Sequence, residues 1–307
     1  MSENENKNWY EMKEQAAGKK RLLLLWSISR IWGKKSVKVI VFCVTLFALL
    51  AAPKVRKYSQ KYLKIVTGNG SLIQSFRHFL NYSYSLVDKM EMFTGNFSFS
   101  DISFADEEMK NVIYNDFLKG NGVYFLCSHL GNINAMQTFF NSSDKTYTKK
   151  VNLFLENAQC QIFNSFINSI AIKKPITAYP VENIDVTTSI EIKDKLDNGE
   201  ILFIAGDRIS AHNNNENAIF TSNFLGKKMK FPVGAFRFAL ILKVPIYFIA
   251  CTLEKDGKYK VHLKKFEKTS FRKDKLEALK SEYVEFLENL TKQYPLQFYQ
   301  FYDFLTE

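Results

Sequence analysis

The sequence predicts an α/β fold, a mostly parallel mixed sheet flanked by helices, with an N-terminal helical region in front of it. From Phe97 onward short apolar runs alternate with helical stretches, the pattern of strands and crossover helices. Two of those runs lack any charged residue: Val123 to Cys127 reads as a central strand and Ile201 to Ala205 as a fully buried one. The chain before them is built differently, with basic residues bracketing very apolar stretches. Together these divide the 307 residues into an N-terminal helical membrane-association region, 1–95, and an α/β domain, 96–307. At 46% hydrophobic and 24% charged residues, the composition excludes collagen-like and wholly disordered chains.

Residues 1–8 are polar and expected to fray. From Trp9 to Val66 the pattern is helical, with breaks at Gly33 and Pro53. The apolar segment Val39 to Ala52 has 14 residues, short of the roughly 20 a helix needs to cross a bilayer core. Extending it backwards would bury Lys38, Lys35 and Lys34, at about 2.5–3.5 kcal/mol each. A helix lying in the membrane interface is therefore expected, the competing reading being a buried core helix. The polar stretch Ser2 to Gly18 ahead of the first apolar run argues against a cleaved signal peptide.

Ser71 to Met92 reads as a helix packing toward the α/β domain. There follow a strand at Val123 to Cys127, a helix at Ile133 to Phe140, a strand at Val151 to Leu155 and a helix at Cys160 to Ile172. Next come a strand at Ile176 to Pro180, a helix at Thr187 to Asp197 and the strand at Ile201 to Ala205. Lys228 to Phe231 and a helix from Val233 to Lys243 follow a polar loop. Ile246 to Leu253 and Tyr259 to Phe266 form a hairpin about Asp256-Gly257. Asp274 to Tyr294 is an amphipathic helix, and an aromatic tail ends the chain.

The formal charge of +11 leaves two partner classes, nucleic acid and an anionic membrane surface. Interleaving of Lys19, Lys20, Arg21, Lys34, Lys35, Lys38, Lys54, Arg56, Lys57, Lys61 and Lys64 with Leu22 to Trp26 and Val39 to Ala52 favours the membrane over nucleic acid. The cysteines at 43, 127, 160 and 251 lie in apolar runs without metal-ligand spacing, so they read as small buried hydrophobes. His78, His212 and His262 lack a partner at meaningful spacing and read as packing or surface residues. No Gly-x-Ser-x-Gly elbow surrounds Ser128, and no P-loop or dinucleotide-binding glycine pattern is present.

His129 ends the apolar run at 123–127 and opens a helix, so its imidazole stands at a strand-to-helix turn, where open α/β sheets hold reactive groups. An acid accepting its Nδ1–H would fix the tautomer that leaves Nε2 free as a general base. Asn134, five positions on, can accept that hydrogen bond through its amide oxygen but brings no charge. Arg208 follows Gly206-Asp207 at the end of a strand, a placement suited to bidentate binding of phosphate or carboxylate, the plainer reading being a local Asp-Arg pair. Gly234 starts a helix, leaving backbone N–H groups for an anion or developing oxyanion.

The block from Val123 to Gln137 resembles the His-x4-Asp/Glu motif of the lysophospholipid acyltransferase superfamily, and more closely its lipid A biosynthesis (lauroyl/myristoyl) acyltransferase-like branch of predicted acyltransferases. Ile201 to Ser210 resembles that superfamily's second block, with Asp207 and Arg208 as the matching polar pair. The stretch Phe231-Pro-Val-Gly-Ala-Phe-Arg237 and then Val244-Pro-Ile246 resembles its third. Pro295 to Leu305 is similar to the branch's aromatic C-terminal signature, and Trp9, Gly18 and Tyr62-Leu63 match its N-terminal layout, so the resemblance spans nearly the whole chain. One position departs from it, since Asn134 stands where the family has its acid.

The resemblance implies a glycerol-3-phosphate acyltransferase-like fold. It also implies transfer of a fatty acyl group from acyl carrier protein or acyl-CoA to a hydroxyl of a lipid or glycolipid acceptor, without metal or cofactor. In that scheme His129 is the base, Asn134 orients it, and Asp207, Arg208, Gly234 and Arg237 bind substrate. Attachment to the cytoplasmic face of the inner membrane follows. The departure at 134 leaves three cases open: a slower enzyme, another acid in the role, or a catalytically degenerate homologue that binds lipid or carrier protein.

Overall fold

The structure, a computed structural model, describes residues 37–94, 97, 99–140, 149–157, 160, 176–209, 216–267 and 275–306. Its first half comprises α1 (Val37–Ala51), α2 (Pro53–Thr67), α3 (Leu72–Thr94), β1 (Ile102–Phe104), α4 (Glu107–Leu118), β2 (Val123–Cys127), α5 (Asn134–Phe140), β3 (Val151–Leu155) and β4 (Ile176–Pro180). Its second comprises α6 (Val186–Asp197), β5 (Ile201–Ala205), β6 (Ile219–Phe224), β7 (Lys227–Pro232), α7 (Gly234–Leu242), β8 (Ile246–Leu253), β9 (Tyr259–Lys265), α8 (Lys275–Gln293) and β10 (Leu305–Thr306). The expected run from Trp9 to residue 36 with its break at Gly33, most of the helix at Cys160 to Ile172, and His212 lie outside the described residues.

Seven strands form one sheet in the order β1-β9-β8-β2-β5-β3-β4. Every neighbouring pair is parallel except β8 with β9, the hairpin about Asp256-Gly257, so the fold is α/β with a mostly parallel mixed sheet, as expected. β2 lies between β5 and β8, and each of its residues is buried. Because side chains alternate along a strand, Tyr124 and Leu126 enter one core while Val123, Phe125 and Cys127 enter the other. Phe125 stacks on Phe203 of β5 at 4.6 Å, and emptying that position with Phe125→Ala costs about 3–5 kcal/mol. A second, antiparallel sheet has the order β10-β7-β6.

Four elements go beyond the sequence reading. β1 and β10 have three and two residues, too few for a period to show. β6 carries Thr221, Ser222 and Asn223 among its apolar residues, which disguises it as loop. α4 did carry a start signal, an Asp106 side chain that accepts from the Met109 N–H ahead of two glutamates.

The chain bends by 97° between α1 and α2. Pro53 at the head of α2 lacks the N–H that would continue the helix, which accounts for the break expected there. Val37, Val41, Thr45 and Leu49, spaced by four, form the buried face of α1, and Thr45 Oγ1 donates to Ser83 Oγ of α3 at 2.9 Å. Its other face is also apolar and lies open, with Val39, Phe42, Val44, Leu46, Phe47 and Leu50 exposed. Cys43 is exposed too, against the expectation of four buried cysteines; the other three are buried. No single described helix is long and apolar enough to cross a membrane.

α2 and α3 pack on the α/β domain. Tyr62 and Leu63 join the core, and the Tyr62 hydroxyl donates to Pro295 O at 2.9 Å. His78 is fully buried between Ser59 Oγ and Phe298 O, each 3.0 Å from a ring nitrogen, and burial lowers its pKa to about 4. His262 is likewise buried, with Nε2 2.8 Å from Thr252 Oγ1. Both are packing residues, as their sequence context suggested.

Candidate active site

β2 delivers its carboxyl end to a turn fastened from three directions. Leu130 bridges Phe298, the Gly131 N–H donates to Gln297 O at 2.8 Å, and the Asn132 N–H donates to Cys251 O at 2.7 Å. Gly131 has φ 70°, and a Cβ there would stand 1.9 Å from Cys251 O, so only glycine fits. His129 sits at the head of this turn. Its own carbonyl accepts from the Tyr299 N–H at 3.1 Å.

β5 runs beside β2 in register, Cys127 opposite Ala205, and its continuation therefore emerges next to His129. The Gly206 N–H donates to Cys127 O at 2.9 Å, and the Tyr283 hydroxyl from α8 donates to the same carbonyl at 2.7 Å. This places Asp207 against the imidazole. Nδ1 lies 2.9 Å from Asp207 Oδ1, the His129 backbone N–H donates to Oδ2 at 2.9 Å, and Gln300 Nε2 donates to Oδ2 at 2.8 Å. The Asp207 side chain is 0% exposed, the His129 side chain 35%. Nε2 of His129 has no hydrogen-bond partner among the described residues.

Burial pushes the Asp207 carboxyl up, but the His129 charge, the N–H donors from its ring and backbone and the Arg208 charge outweigh it. The group is held below the usual carboxylate range. Asp207 is therefore ionised at neutral pH, and because a carboxylate only accepts, the His129 Nδ1 is the donor of the pair. Cys127 and Tyr283 flank the carboxylate; burial first, and the negative charge of Asp207 second, drive both upward, so they stay neutral.

Two sequence-based assignments change. Asn134 does not hold the imidazole: its Nδ2 donates to Asn132 Oδ1 at 2.8 Å, because α5 begins there and the side chain folds back on the turn. Asp207 does not reach substrate, since it is buried with both oxygens engaged; it takes the orienting role instead. Arg208 is turned inward, with Nε donating to Gln300 Oε1 and Nη2 to Tyr299 O, each at 2.8 Å, and its guanidinium is 5.7 Å from the Tyr302 ring centre. Gly234 opens α7 as expected, and Arg237 is exposed in its first turn without a side-chain partner among the described residues. No hydrogen bond links either of them to His129 or Asp207.

Gln297 and Gln300 were missed. Their signal is faint but present: they are the two amides inside the otherwise aromatic and aliphatic string Pro295 to Tyr302. Phe298 of that string and Phe304 just after it are core residues. Among the described residues no group of His, Cys, Asp and Glu is arranged to hold a metal ion. No family model and no curated protein matches the chain.

Proposed function

We propose that the chain is a membrane-associated acyltransferase of the lysophospholipid acyltransferase superfamily, with the glycerol-3-phosphate acyltransferase-like form of the α/β fold and closest to the lipid A-like branch. It moves a fatty acyl group from acyl carrier protein or acyl-CoA to a hydroxyl of a lipid or glycolipid at the cytoplasmic face of the inner membrane. The observation that carries this reading is the His129–Asp207 pair, a charged, buried carboxylate on Nδ1 of a part-exposed imidazole whose Nε2 has no hydrogen-bond partner among the described residues.

In the reaction, Nε2 takes the proton of the acceptor hydroxyl as its oxygen attacks the thioester carbonyl. The new C–O bond forms, the C–S bond breaks, and the imidazolium returns its proton to the departing thiolate. Asp207 stabilises the imidazolium throughout. Arg237, exposed at the first turn of α7, suits the anionic part of a donor or acceptor. The open apolar face of α1 and the basic residues of α2 suit an anionic bilayer.

The test is acyl transfer by the full chain in mixed micelles, with lauroyl- and palmitoyl-CoA and the matching acyl carrier protein thioesters as donors and a lysophospholipid and glycolipid panel as acceptors. Wild type should turn over, and His129→Ala should lose about 10² to 10⁴ in kcat. Turnover by neither, across the panel, sinks the enzyme reading and leaves the non-catalytic binder of lipid or carrier protein.

A further inference from the structure

We propose that Gln300 is a positioning residue for the His129–Asp207 pair, clamped by Arg208 so that its amide N–H holds the inner oxygen of the carboxylate while the outer oxygen holds the imidazole. The inference deepens the acyltransferase reading and rests on it for its kinetic consequences alone.

A guanidinium only donates, so the Gln300 oxygen must face Arg208 Nε, 2.8 Å away. That leaves its NH2 facing Asp207 Oδ2 at 2.8 Å, and fixes the amide the one way round that can serve an ionised acid. Oδ2 thus receives two donors, Gln300 Nε2 and the His129 backbone N–H, and Oδ1 is left to the ring. Gln300 is fully buried, so an unmatched amide there would be costly. The neighbouring residues repeat the arrangement: Tyr299 N–H binds His129 O, and Tyr299 O accepts from Arg208 Nη2. One segment of the tail therefore touches the base, the acid and the arginine together.

Arg208 accordingly acts through Gln300, and its charge reaches the pair along an oriented amide. The charged or titrating groups around the two partners of Gln300 are His129, Cys127 and Tyr283 at Asp207, and Tyr302 at Arg208.

Two variants test this in the full chain. Gln300→Leu removes the bridge. Gln300→Glu keeps its shape but donates to Asp207 only while its carboxyl holds a proton. The first readout is 15N NMR of the histidine ring, which needs no substrate: wild type should show His129 as the single tautomer protonated at Nδ1, and Gln300→Leu a mixture. The second is acyl transfer with lauroyl-CoA and the best acceptor of the panel. Gln300→Leu should lose about tenfold or more in kcat with KM within about twofold, the mark of a misaimed base and not of lost binding. Gln300→Glu, relative to wild type, should recover by about tenfold between pH ~8 and pH ~6, as its carboxyl regains the proton. A purely structural role gives no such recovery. A wild-type tautomer in Gln300→Leu, or a Gln300→Glu to wild-type ratio flat with pH, overturns the proposal. If Gln300→Leu does not fold, Gln300→Glu decides by both readouts. If wild type transfers nothing, the functional reading fails while the tautomer measurement still judges the clamp.

Discussion

Asp207→Asn keeps the volume of the carboxylate and removes its charge. The new amide must turn its NH2 toward either the ring Nδ1–H or the Gln300 donor, so one donor faces another. We expect a loss in kcat of about 10² to 10⁴, comparable to the same exchange in serine protease triads. The effect on stability has a definite sign. Because the folded-state pKa of Asp207 is depressed, its contribution is fully present above the usual carboxylate value and lost as pH falls through the folded value. The Tm deficit of Asp207→Asn should therefore shrink in strong acid, and a deficit constant with pH would refute the charge argument.

Asn134→Asp, which the family pattern favours, should not accelerate the reaction, because it sets a carboxylate against Asn132 Oδ1 and leaves Nδ1 where Asp207 holds it. Kinetics of that single variant settle the point. At this scale the sequence displayed the imidazole but not its partner. His129 is visible where an apolar run meets a helix start. Its acid lies 78 residues on, and their meeting depends on β5 lying beside β2, a neighbourhood that local pattern does not encode.

Among the elements, the strands of the central sheet were legible because complete burial leaves uninterrupted apolar runs, as in β2 and β5. β6 was not, because one face of its sheet meets solvent and its polar residues mimic a loop. The break before α2 was legible because proline forbids the helical N–H. α1 combines a buried face on α3 with an open apolar face, and Phe47 is 73% exposed. Replacing Phe47 and Leu50 by glutamate should leave the Tm near wild type, since neither is packed. It should also weaken sedimentation with phosphatidylglycerol vesicles by about tenfold or more. Unchanged vesicle binding would remove α1 from the membrane contact.

For the molecule as a whole, acid sensitivity should begin well above the carboxylate range. Burial depresses both His78 and His262 to about 4. Each is neutral in the fold and takes up a proton on unfolding, so stability falls as pH drops from about 6.5 to about 4, on the order of a few kcal/mol per residue. Urea unfolding across that window should show the slope, and His78→Gln, which can still bridge Ser59 and Phe298 O, should lower it. An unchanged slope would mean that His78 is protonated in the folded protein.

The fastening of His129 by Tyr299 and Gln300 also sets a timetable during synthesis. The ribosome makes the imidazole first and its clamp roughly ten to thirty seconds later at ordinary elongation rates. Until residue 300 has left the exit tunnel, a nascent chain carries the ring and the acid without the clamp that aligns them. A half-made copy should therefore carry an unaligned ring and carboxylate until the polypeptide has closed upon itself.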